Sequence, residues 1–435
     1  MKRQQSFSSG SRREFLKMTL AGGAGLAATR FAVSPTAAAG ASDILVVGLN
    51  SDIPPLDPHR TLGWTTMLVT LTMGEQLIGQ DLTTTAKGTP PILPILAERY
   101  ELADDGLTYT YHLRPNVKFH DGTPFNADAV DFNIRRQWDK SFKFFYQDAA
   151  NISFWPYQFL ADIQKVDDLT VKLVLSQPWG DFLRMNMQSF GQQFMLSPTY
   201  VRKVGNAAVG DAPVLTGPFK FVERIPGERI VVERNPDYWG AAPKLAKIIF
   251  RVMPDDAARK AALLAGEIDI AQYPIAWDSN AELQAKDMAV TTCNGPFLTY
   301  LAFNMKDPIL GQSKEVRQAI NMAIDRKGMV KGLFGDWATP ANSMLPASSP
   351  SYDPDFKGYT YDPDGARALL KQAGHDSGFS TQILIPEVSD SVAQWIQRNL
   401  KDVGIDLIIN KPVSSSSNLI HVRLKLYKFH GLFFG

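Results

Sequence analysis

Apolar and charged positions alternate most regularly between Thr216 and Gly240, in TGPFKFVERIPGERIVVERNPDYWG. Phe219, Phe221 and Glu223 alternate with Lys220, Val222 and Arg224, and the pattern restarts at Arg229 after Pro226-Gly227. Two short mixed runs around a Pro-Gly turn predict a β-hairpin. A second hairpin is predicted where Asp105-Gly106 precedes Leu107, Tyr109, Tyr111 and Leu113, which alternate with Thr108, Thr110 and His112. The run ILVVGL at 44–49 is nearly continuous in apolar residues and reads as a buried strand. Residues 170–175, 248–253 and 299–304 supply further strands.

Helical spacing is equally legible. Asn126 stands where an N-cap belongs, with Asp128 in the first turn and Ala129, Phe132 and Arg136 following. Residues 67–78 predict an amphipathic helix ending in Glu75-Gln76-Leu77, and 255–265 a helix closed by Gly266. Across 315–332, Val316, Ala319, Ile320, Ala323 and Ile324 share a face and predict one helix. Asp362-Pro363 opens another, which Gly374 stops. A strand at 381–385, a helix at 392–403 and a strand at 405–410 follow, an order that argues for parallel pairing. The aromatics between Phe142 and Phe159 read as core, with one or two rings left to reach a ligand.

Composition narrows the function. A chain of 435 residues is too long for one ordinary core, so two or more lobes are expected. Its 45% hydrophobic and 20% charged content is that of a globular protein. The balance of 45 basic against 44 acidic residues gives no electrostatic case for a nucleic-acid partner. A single cysteine, Cys293, excludes an internal disulfide framework and Cys-rich metal sites, and reads as a small buried hydrophobe. His112 and His120 read as surface or hydrogen-bonded side chains.

At the N-terminus, Ser11-Arg12-Arg13-Glu14-Phe15-Leu16-Lys17 matches the twin-arginine export motif. A weakly apolar run to Ala28 follows, too short and Gly-rich for a membrane span, and small residues at 37–41 offer cleavage. Residues 1–41 are therefore read as a signal peptide handed to the twin-arginine translocase. With no cysteine near the cleavage site, the mature chain is expected to be soluble and periplasmic, without a lipid anchor.

The hairpin with its flanks, Thr216-Gly217-Pro218-Phe219 and Asn235-Pro236-Asp237-Tyr238-Trp239-Gly240, resembles the signature of the bacterial family 5 extracellular solute-binding proteins, the dipeptide, oligopeptide and nickel receptors of ABC importers. The segments LPILAERYELADDGLTYTYHLRPNVKFHDGTPFNADAVDFNIRRQWD, Gly266-Glu267-Ile268-Asp269-Ile270 and EVRQAINMAIDRKGMVKG are similar to further motifs of that family, in family order. Ser51-Asp52 with Leu56-Asp57-Pro58 is similar to a corner that lies at the ligand cleft in such receptors, and Glu75-Gln76-Leu77 to their Y-E-x-L helix. Here Gly74 replaces the usual aromatic.

The resemblance implies an α/β, two-lobed periplasmic-binding-protein fold of type II, cluster C-like, with an extra subdomain in lobe I. Lobe I would take 42–272, with a subdomain inserted at about 60–205, and an incomplete lobe II would take 273–435. Strands near 268–272 and 293–304 would form the hinge. Beyond 410 the resemblance weakens. FHGLFFG at 429–435 is the candidate last strand of lobe II, and the C-terminal return to lobe I is expected to be absent, leaving part of its core exposed.

The implied function is capture of a peptide between the lobes and delivery to an ABC permease and ATPase complex, with no cofactor and no bound metal. Alternatives are a nickel chelate, opine or oligosaccharide receptor, or an exported enzyme. Against the enzyme stand six scattered histidines and the lack of H-E-x-x-H and G-x-S-x-G in the mature chain. By position in the family pattern, the substrate-binding candidates are Trp64, Gln192, Asn294 and Phe297.

Overall fold

The uninterrupted apolar strand Ile44–Leu49 (β1) lies between two parallel neighbours, β10 (Lys247–Val252) and β11 (Ile270–Ala271). Its second half, Val47-Gly48-Leu49, is buried. A computed structural model describes residues 43–60, 64–81, 91–187, 193–272, 279–284, 286, 288–290, 298–345, 352–385, 390–410 and 424–429. At 64, 154, 279–281, 336 and 424–429 it describes the backbone alone. The candidate signal peptide lies outside these residues.

The predicted hairpin forms as β8 (Phe219–Ile225) and β9 (Arg229–Arg234), antiparallel, with a register shift between Phe221 and Glu223. Gly227 makes the turn at φ +72°, a conformation that only glycine adopts without strain. β9 then pairs antiparallel with β10, so the sheet order is β11-β1-β10-β9-β8. Its core includes Leu49, Leu56, Met73, Phe132, Phe194 and Val232.

A second sheet, β4-β5-β7-β6, is antiparallel throughout and is built from Ala97–Leu102 (β4), Thr108–Leu113 (β5), Leu160–Asp167 (β6) and Thr170–Leu175 (β7). In β5 the alternation works as read: Tyr109, Tyr111 and Leu113 are buried. The helix Ala127–Trp138 packs on this sheet and is capped by the Asn126 side chain, which accepts from the Ala129 N–H at 3.1 Å. Between the two sheets in sequence lie the short strands β2 (Ile78–Gln80) and β3 (Ile92–Pro94), which pair with each other.

The third sheet has the order β12-β15-β13-β14. β13 (Phe379–Leu384) and β14 (Ile405–Asn410) run parallel, joined by the helix Asp390–Lys401, as the β-α-β order requires. β12 (Leu298–Phe303) is antiparallel to β15 (Leu424–Phe429). A separate core forms here from Val316, Ile320, Leu370, Ile383, Ile396 and Leu407. Among the described residues no helix is long and apolar enough to cross a membrane.

Two expectations need correction. The helix predicted for 67–78 is Trp64–Met73. It stops because the Met73 carbonyl is taken by the Gly217 N–H at 2.7 Å, and residues 75–77 lie outside any helix or strand, their carbonyls accepting from Met195, Leu96 and Ala97. The helix predicted for 315–332 is two, Lys314–Ala323 and Arg326–Phe334. Asp325 breaks it by capping the second, its carboxylate accepting from Gly328 N–H at 2.8 Å. A strand lies at 424–429; apart from Phe429, the strand expected at 429–435, with His430, falls outside the described residues.

Candidate binding cavity

Where the hairpin ends, Asn235 sets the path of the chain. It is 4% exposed; its Nδ2 donates to the Gly217 carbonyl at 3.2 Å and its Oδ1 accepts from the Asp237 N–H at 3.1 Å. This Asx turn places Tyr238 and Trp239 side by side, ring centroids 5.4 Å apart. Both donate to one carboxylate: Tyr238 Oη to Glu75 Oε1 at 2.7 Å, and Trp239 Nε1 to Glu75 Oε2 at 2.8 Å. Glu75 sits in the irregular segment that follows the shortened helix and is buried. Burial raises its pKa, while the bonds from Trp239 and Tyr238 and the charge of Arg114 act in the opposite direction. The Arg114 guanidinium lies over the Trp239 ring at 4.4 Å and donates from Nε to the Ile95 carbonyl at 3.0 Å.

Glu75, Tyr238 and Trp239 form one side of a cavity of about 330 Å³. Leu71, Ile95, Phe194 and Pro218 add apolar lining, and Gly74 and Gln76 line it beside Glu75. Gly74 stands where the family that the sequence resembles has an aromatic. A Cβ there would stand 3.0 Å from the Phe194 ring, so Phe194 fills the space that a side chain at 74 would need. An open pocket of this size, lined by aromatic and apolar side chains together with polar groups, suits a small organic ligand.

A buried polar cluster ties the wall of this cavity to the Leu56-Asp57-Pro58-His59 corner. Arg136 and Asp57 are both wholly buried and pair at 2.7 Å. Arg136 Nη1 also donates to His59 Nδ1 at 2.6 Å, and its Nε to Asn206 Oδ1 at 2.9 Å. With Nδ1 accepting, the proton of neutral His59 belongs on Nε2, which donates to the Phe194 carbonyl at 2.8 Å. Burial, with the Arg136 charge second, lowers the His59 pKa to about 4. His120 is likewise hydrogen-bonded, its Nε2 to the Gly217 carbonyl at 3.0 Å.

None of the four residues expected from the sequence has a described side chain. Gln192, Asn294 and Phe297 lie outside the described residues, as does Cys293, and Trp64 is described only as backbone at the start of its helix. The sequence reading quoted Glu75, Tyr238 and Trp239 but assigned none of them to a site. The available signal was an acidic residue in an apolar stretch, together with two adjacent aromatics that each carry a hydrogen-bond donor.

Comparison with known proteins decides the family. Residues 91–426 match the family of bacterial extracellular solute-binding proteins, family 5, middle region. The chain belongs to that family. The glutathione-binding protein GsiB of Pectobacterium atrosepticum is 33% identical over 365 residues, covering 83% of this chain and 67% of that protein. The DppA periplasmic binding protein of Helicobacter pylori, solved with the peptide STSA, superposes with a TM-score of 0.77 at 27% identity, over 89% of this chain and 78% of that one. The dipeptide-binding protein of a Pseudoalteromonas species, solved with Met-Leu, gives 0.79 at 25% identity, over 89% and 80%. This family 5 receptor is thus an ABC-importer solute-binding protein with the α/β fold of type II periplasmic binding proteins.

Proposed function

We propose that this receptor binds a short peptide, glutathione among the candidates, closes two lobes over it and delivers it to an ABC permease and its ATPase. The likeness to peptide-bound DppA over 89% of the chain supports this reading. The cavity beside Glu75, Tyr238 and Trp239 provides apolar walls with fixed polar groups, the lining that such a ligand requires. In this reading lobe I comprises 42–272, with its subdomain at about 60–205, and lobe II comprises 273–435. The connections near 268–272 and 293–304 act as the hinge, and Trp64, Gln192, Asn294 and Phe297 complete the ligand contacts.

Isothermal titration of the mature chain against glutathione, Met-Leu and a panel of di- to tetrapeptides tests the reading. Micromolar or tighter binding of at least one is expected, and the absence of any binding would overturn it. Compaction of the bound chain in small-angle scattering tests the hinge. For export, Arg12→Lys with Arg13→Lys should hold the precursor in the cytoplasm. Unchanged delivery to the periplasm would refute the twin-arginine route.

A further inference from the structure

Tyr238 and Trp239 meet the 330 Å³ cavity as ring surface. Each side chain carries one hydrogen-bond donor, and both donors are taken by the Glu75 carboxylate, at 2.7 and 2.8 Å. Neither ring has a donor left for a ligand. Both are half-buried, as are Leu71, Ile95 and Pro218, and Pro94 is exposed, whereas Glu75, Gln76 and Phe194 are buried. The surface open to a ligand is therefore largely that of two rings and four apolar neighbours. The rings are also held in place: Glu75 fixes their polar ends, and the Arg114 guanidinium lies over Trp239 at 4.4 Å. Fixed aromatic surface loses little freedom when a ligand settles on it.

We propose that Tyr238 and Trp239 form a side-chain subsite of the receptor, in which their ring faces, with Leu71, Pro94, Ile95 and Pro218, take up one large aliphatic or aromatic side chain of a short peptide. At 330 Å³ the cavity accommodates such a side chain. The proposal rests on the peptide-receptor reading above and adds a selectivity to it: peptides that carry a large apolar side chain bind ahead of peptides of alanine and glycine. An acidic side chain is disfavoured there, since it gives up its bonds to water and neither ring has a donor to replace them.

The test is titration calorimetry with Ala-Ala, Met-Ala, Ala-Leu and Ala-Glu on wild type and on Ile95→Trp, which narrows the cavity and leaves the Glu75 bonds alone. If the panel above singles out a longer peptide, its own alanine and glutamate replacements take their place. In wild type Met-Ala or Ala-Leu should bind at least about tenfold more tightly than Ala-Ala, the size of burying one such side chain, and Ala-Glu no more tightly than Ala-Ala. In Ile95→Trp that preference should fall at least about threefold. Leu71→Trp serves if the first variant does not melt cooperatively or binds no peptide. No preference in wild type, tighter binding of Ala-Glu, or a preference that falls less in the variant overturns the subsite while leaving the receptor reading intact. A wild type that binds no peptide of this set or of the panel overturns the receptor reading itself.

Discussion

Replacing Arg136 by Met should remove much of the stability of the folded chain. The methionine fills a similar volume, so the loss is electrostatic rather than a cavity. Arg136 supplies both Asp57 oxygens, at 2.7 and 3.3 Å, together with His59 and Asn206. Without it the Asp57 carboxylate is fully buried, with the His59 N–H at 3.0 Å still donating to it. Breaking a buried pair on one side costs about 3–5 kcal/mol. A domain has only about 5–15 kcal/mol in total, so the effect is large.

Urea unfolding followed by circular dichroism measures it. One signature identifies the cause. Adding Asp57→Asn to Arg136→Met should recover about half the loss or more, because the amide carries no charge to strand. A loss below about 1 kcal/mol, or no rescue by Asp57→Asn, would refute the assignment of this pair as an electrostatic clamp.

Three further outcomes are expected. The His59 pKa is lowered to about 4, so the unfolded chain takes a proton near 6.5 that the folded chain refuses; stability is full above 6.5 and is lost as pH falls toward 4. His59→Gln should flatten that acid limb in melts between pH 4 and 7, and an unchanged slope would count against it. Trp239→Phe leaves one oxygen of the buried Glu75 carboxylate without its donor and should cost about 1–3 kcal/mol at pH 8. Because the raised Glu75 pKa makes its protonated form easier to reach in acid, that loss should shrink at pH 5, and equal losses at both values would contradict the arrangement. In Gly217→Ala the new Cβ would stand 2.5 Å from the Met73 carbonyl carbon, so about 2 kcal/mol or more should be lost. Gly180→Ala, with nothing within 4 Å, should change the melting temperature little by comparison.

Periods of two and 3.6, with caps and turn glycines, depend on neighbours a few residues away, and these the sequence determined alone. It placed the Pro226-Gly227 hairpin, the Asn126 and Asp362 caps, the alternation of β5 and the parallel β13–β14 pair. The family was legible for the same reason, since its motifs are local runs such as Asn235-Pro236-Asp237-Tyr238-Trp239. Where distant segments compete for a backbone group, the sequence was silent. Nothing local to 67–78 says that Gly217, more than a hundred residues on, takes the Met73 carbonyl and ends the helix there. Nor does Asp57 announce Arg136, 79 positions away, or Glu75 its donors Tyr238 and Trp239, 163 and 164 away. A buried charge must find its partner wherever the fold brings one, because the desolvation penalty is set by the surrounding space and not by position along the chain.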